Sequence, residues 1–129
     1  MVVLSRAALN VHEGPCSISR VLNAHALKPG MVISNEPGYY EAGNFGIRIE
    51  NLLIVVNKPE LGEFAGKGFL GFEKLTMIPI QKKLMNTSLL TAGEIEWINS
   101  YHTTVRERVG PLLVSEKAKA WLQDATSPL

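Results

Sequence analysis

Short apolar stretches punctuated by glycine and proline fill the first two thirds of the chain, and apolar positions at helical spacing fill the last third. Val2 to Val11 has strand-like character, with helix as the alternative, and Gly14-Pro15 reads as the break that stops it. Ser17 to Ala26 is mixed and reads as irregular, with one turn of helix. Lys28-Pro29-Gly30 is a turn signal. Met31 to Ser34 reads as a short strand that ends at Glu36-Pro37-Gly38, because proline removes a ladder donor. Ile47 to Val56 carries the strongest strand pattern, with β-branched Ile47, Ile49, Ile54, Val55 and Val56. Arg48 and Glu50 alternate with Ile47 and Ile49, so both polar side chains point to one face. Leu52 to Val56 is apolar at every position, as in a strand covered on both faces. Lys58 to Gly71, with Gly62, Gly66, Gly68 and Gly71, reads as a loop. Phe72 to Ile80 reads as a further strand, with Pro79 placing its end near an edge.

The period then changes. Thr91-Ala92-Gly93-Glu94 has capping-box spacing and opens a predicted helix to about Val109. Its repeating apolar positions are Trp97 or Ile98, Tyr101, Val105 and Val109. Gly110-Pro111 terminates it. Ser115 caps a second predicted helix through about Ala125, with Ala118, Trp121 and Leu122 on one side. Strands first and helices afterwards predict an α+β fold.

Composition narrows the function. The 129 residues suffice for one domain with a core, and 46% hydrophobic content makes the chain globular. With 13 basic and 12 acidic residues the net charge is +1, which gives no nucleic acid or anionic membrane as partner. The single cysteine, Cys16, excludes an internal disulfide and fits a reducing compartment. Arg6 interrupts the short N-terminal apolar run and no basic segment precedes it, so a signal peptide is not expected and the expected location is cytoplasmic.

The candidate chemistry lies in two glutamates. Glu36 and Glu50 each sit at or beside the end of a strand-like run, and the segment between them holds Pro37, Gly38, Gly43, Asn44 and Gly46. Two antiparallel strands joined through such a segment bring both carboxylates to one place, which suits a divalent metal. Taken singly, Glu36 and Glu50 read as ordinary solvated glutamates. His12, beside Glu13 and before Gly14-Pro15, reads as a loop residue or as a donor to an oxyanion. Arg48 reads as a cross-strand partner of a carboxylate, or as the group that orients a ligand carboxylate. Tyr39 and Tyr40 read as core-packing residues, and His25 and His102 as structural or exposed. Cys16 lacks the basic surroundings of a reactive thiol.

In order along the chain stand Asn10-Val11-His12-Glu13-Gly14-Pro15, Ser34-Asn35-Glu36-Pro37-Gly38-Tyr39-Tyr40 and Gly46-Ile47-Arg48-Ile49-Glu50-Asn51. With Phe72 to Gln81 and the helix around Trp97 to His102, they closely resemble the C-terminal part of cytosolic Xaa-Pro aminopeptidases, in the pita-bread metallopeptidase family. The resemblance leaves residues 1–8 unmatched. It assigns 9–82 to the C-terminal half of the catalytic domain and 83–129 to a C-terminal helical extension.

It implies a partial pita-bread (creatinase/aminopeptidase-like) domain of antiparallel strands followed by helices. The implied activity is metal-dependent removal of the N-terminal residue from peptides with proline second. The family site holds two divalent metals, usually Mn2+, with Zn2+ or another divalent metal as alternatives. Their ligands are two aspartates, one histidine and two glutamates. By motif position Glu36 resembles the first glutamate ligand, which also shuttles a proton, and Glu50 the bridging one. His12 resembles the histidine that stabilises the tetrahedral intermediate, and Arg48 the arginine that organises the site. The family's His-Gly-x-Gly motif has no counterpart in Met1 to Ala8, so two of five ligands are expected here, with weak metal binding and no activity of the chain alone. The resemblance also implies pairing, as a homodimer or as a heterodimer with a full-length subunit, and the alternative to an enzyme is a non-catalytic chain that pairs in this way.

Overall fold

The computed structural model describes residues 24–129 in full, together with the backbone of strands β1 (Val2–Leu4) and β2 (Glu13–Ile18). Two compact units divide between Thr76 and Met77.

The first unit is built on a five-stranded antiparallel sheet in the order β2-β1-β3-β6-β9. Its remaining members are β3 (Val32–Asn35), β6 (Asn51–Asn57) and β9 (Leu70–Lys74). Ile33 and Val55, on the adjacent strands β3 and β6, are its most buried apolar side chains. Pro15 was read as a strand stop, yet it lies inside β2. That strand is the outermost of the described sheet, where a missing N–H is tolerated.

The strand read from Ile47 to Val56 is two strands. β4 (Gly38–Glu41) and β5 (Phe45–Arg48) form a separate two-stranded ribbon, and β6 begins only at Asn51. The cause is Pro37, which lacks the N–H needed to continue the β3–β6 ladder past Asn35 and Asn51. The ribbon closes through Gly43 at φ 73°, with the Asn44 N–H donating to the Glu41 carbonyl at 3.0 Å.

The predicted loop from Lys58 to Gly71 is more ordered than its glycines suggest. It holds a 3-10 turn at Pro59–Leu61 and a hairpin of β7 (Glu63–Phe64) with β8 (Lys67–Gly68). The two hairpin turn residues, Ala65 and Gly66, have φ of 51° and 72°. Positive φ at both central residues is the twist that two-residue hairpins favour. The usual Asn-Gly or Asp-Gly signal is absent, so the pattern did not disclose it.

The strand read from Phe72 to Ile80 lies instead at Leu70–Lys74. Beyond it, the Thr76 hydroxyl accepts from the Leu52 N–H at 2.7 Å, taking the place of a ladder carbonyl.

The second unit packs α1 (Ala92–Val109) and α2 (Glu116–Ala125) around Tyr101, Val105 and Leu122, with Met77, Ile80, Val109 and Leu113 against them. The capping box forms as the sequence predicts: Thr91 Oγ1 accepts from the Glu94 N–H, and the Glu94 carboxylate accepts from the Thr91 N–H at 2.8 Å. Ile98, rather than Trp97, takes the buried position, and Trp97 stacks on Tyr101 with half its surface in solvent. Trp121 is likewise exposed, whereas Leu122 is buried.

His102 is fully buried. Its Nε2 accepts from the Ile80 N–H at 3.0 Å, and the Tyr101 hydroxyl donates to the Ile78 carbonyl at 2.8 Å. Helix side chains thus satisfy backbone groups of 78–80 that a strand would have paired.

Thr91→Ala removes the N-cap and is expected to cost about 1 kcal/mol in urea unfolding. Burial, with Lys82 and Arg106 nearby, holds His102 below its ordinary value of 6.5. The unfolded chain therefore binds a proton first, so stability falls as pH drops below that value. His102→Gln keeps an acceptor for Ile80, and its melting temperature is expected to vary less than wild type between pH 7 and 5.5.

Candidate metal centre

The site is built at the break between sheet and ribbon. On the sheet side Asn35 pairs with Asn51, and on the ribbon side Gly38 pairs with Arg48. One register runs through both ladders, so continuing either sets Glu36 opposite Glu50 and Pro37 opposite Ile49. The Ile49 N–H donates to the Pro37 carbonyl at 3.1 Å, in keeping with that register. With side chains alternating along a strand, Ser34, Glu36, Gly38 and Tyr40 share a face with Gly46, Arg48 and Glu50. The other face of the ribbon carries exposed Tyr39, Phe45 and Ile47.

Opposed carboxylates need a counter-charge. Arg48 supplies it: its NH1 lies 2.8 Å from Glu36 Oε2 and 4.0 Å from Glu50 Oε2. The Glu36 side chain is only 2% exposed, and its Oε1 accepts from the buried Ser34 hydroxyl at 2.7 Å. Glu50 is open to solvent, with 42% of its side chain exposed. The two glutamates therefore differ: one is fixed inside, and the other faces outward at the same corner. The Arg48 guanidinium is held above its ordinary value, first by the hydrogen bond from its Nε to the Tyr40 hydroxyl at 2.8 Å, and further by the Glu36 and Glu50 carboxylates.

Glu36, Arg48 and Glu50 are thus brought together. His12 lies outside the described residues. Tyr40 is not a core residue as first read: it is exposed and holds Arg48, a role that the Gly-x-Tyr spacing does not itself signal. Ser34 was missed as a site residue. Its position two residues before Glu36 on the same face could have shown it.

Hard oxygen donors suit manganese, magnesium or a mixed zinc site. Among the described residues, however, no three His, Cys, Asp or Glu side chains cluster, and the sequence holds a single aspartate, Asp124, on α2. Two carboxylates, both already paired with Arg48, do not fit a metal pair unaided.

Known proteins give this geometry its context. Residues 5–57 match metallopeptidase family M24, and residues 68–129 match the C-terminal region of peptidase M24. The chain belongs to the M24 metallopeptidase family. It is 55% identical over 124 residues to aminopeptidase P2 of Arabidopsis thaliana, covering 95% of this chain and 18% of that protein. It is 44% identical over 126 residues to Xaa-Pro aminopeptidase 1 of Dictyostelium discoideum, covering 94% of this chain and 20% of that one. Among solved structures it is similar to the X-prolyl aminopeptidase of Caenorhabditis elegans, a cytosolic enzyme with a dinuclear active site. The TM-score is 0.85 at 35% identity, covering 99% of this chain and 21% of that structure. The fold is accordingly the α+β, partial pita-bread arrangement that the motifs implied. The chain spans about one fifth of the length of these M24 relatives.

Ser34→Ala takes a donor from a buried carboxylate. It is expected to destabilise the chain by roughly 2 kcal/mol, since hydrogen bonds to charged groups contribute more than neutral ones, as measured by urea unfolding.

Proposed function

We propose that this chain forms the glutamate-bearing corner of an Xaa-Pro aminopeptidase site, which removes an N-terminal residue preceding proline. The observation that carries this reading is the opposition of Glu36 and Glu50 in one register with Arg48 between them, at the positions where the motifs resemble the family's two glutamate ligands. In this reading Glu36 and Glu50 are metal ligands, Glu36 is also the proton carrier, and His12 faces the substrate. Mn2+ is the preferred metal and the location is cytoplasmic. No described helix is long and apolar enough to cross a membrane.

Among the described residues the donor set holds too few ligands for a metal pair. The chain alone therefore binds divalent metal weakly and does not turn over. With Mn2+ present, the purified chain is expected to show no hydrolysis of an Xaa-Pro peptide. Turnover that disappears in Glu50→Gln would contradict this.

A second reading, a non-catalytic chain that pairs with a longer M24 subunit, draws on β9. This strand ends the described sheet, and its Leu70 and Phe72 are close to half exposed. An apolar edge of this kind is a ready template for another chain. Failure to co-purify with a full-length relative at micromolar concentration would remove this reading.

A further inference from the structure

Across the ribbon, Gly38 pairs with Arg48 and Gly46 pairs with Tyr40, so each glycine stands opposite a large side chain. Tyr40 and Arg48 are diagonal neighbours on the same face, and the glycines are the other two corners. A Cβ added at Gly38 would lie 2.7 Å from the Tyr40 hydroxyl oxygen, and one added at Gly46 would lie 2.7 Å from Tyr40 Cδ1. Neither glycine has positive φ among the described residues, so what they provide is space and not a special backbone conformation. The ring lies down across both positions. Its hydroxyl thereby meets Arg48 Nε at 2.8 Å. The guanidinium carbon is 5.9 Å from the ring centroid, at the outer reach of a cation–π contact, so the 2.8 Å hydrogen bond is the stronger tie.

A guanidinium is planar. Fixing Nε on one side fixes the direction in which NH1 points. Here NH1 points at Glu36 Oε2, and Glu50 Oε2 is within reach. Arg48 is half exposed and would otherwise sample many rotamers.

We propose that Tyr40 is a positioning residue for the carboxylate pair: lying in the bed cleared by Gly38 and Gly46, it clamps Arg48 Nε so that NH1 holds Glu36 against Glu50. Its catalytic consequence rests on the reading of Glu36 and Glu50 as ligands. Its physical content does not, so the test is independent of turnover.

The test is 15N relaxation of the Arg48 Nε–H in the 129-residue chain, with Arg106 as the internal control because its guanidinium is bound to the Thr126 carbonyl at 2.9 Å. In wild type the Arg48 order parameter is expected near the rigid value of about 0.85, and in Tyr40→Phe below about 0.6, with Arg106 unchanged. Gly46→Ala keeps the hydroxyl but displaces the ring, and it is expected to release Arg48 to the same degree. An Arg48 that stays ordered in both variants, or one already mobile in wild type, would overturn the proposal. So would loss of Arg106 order in both variants, which would make the ring a general support of the fold.

Discussion

A proline at the boundary of two ladders organises this molecule. Pro37 cannot donate, so the β3–β6 pairing stops, yet the chain keeps the same register into the β4–β5 ribbon. That persistence of register sets Glu36 and Glu50 across from each other. At an effective dielectric of about 20, two like charges about 5 Å apart repel by roughly 3 kcal/mol. Arg48, diagonal to one and two residues from the other, is the charge that makes the arrangement tolerable. Ser34, Tyr40, Gly38 and Gly46 occupy the same face because strand side chains repeat every second residue. The corner is thus a consequence of one register and one missing N–H.

The two glutamates are not equivalent, and the asymmetry is physical. Glu36 lies on the side of the break next to the buried strand β3 and receives both a hydroxyl and a guanidinium donor. Glu50 follows the exposed ribbon and stays open to solvent. An inner carboxylate fixed in orientation and an outer one left accessible form a corner onto which further donors can close. The helical unit solves a separate problem. Ile78 and Ile80 leave the strand pattern, and Tyr101 and His102 take up their carbonyl and N–H. A histidine used this way must stay neutral, and that ties the unit's stability to pH.

Much of this was legible in the sequence. Both helices and the capping box were readable because period 3.6 and Thr-x-x-Glu are local signals. The facing of Arg48 and Glu50 was readable from alternation alone. The break between Arg48 and Asn51 was not, because its cause lies on the partner strand, at Pro37. The hairpin at Ala65-Gly66 was hidden because alanine rarely takes positive φ. The early end of β9 was hidden because Thr76, Tyr101 and His102 satisfy backbone groups through side chains far along the chain. Tyr40 looked like core because aromatic residues in strands usually are. What distinguishes it is the pair of glycines, one opposite it and one two residues before it on its own strand, and these become meaningful only once the register is known.

The most direct test of this account is a double-mutant cycle between Arg48 and Glu36, read by urea unfolding of the purified chain. If Arg48 exists to compensate the buried carboxylate, Arg48→Met destabilises strongly, and adding Glu36→Gln restores a large part of the loss. If the two changes are simply additive, the ion pair does not hold the corner together, and the opposition of Glu36 and Glu50 must be maintained by something else.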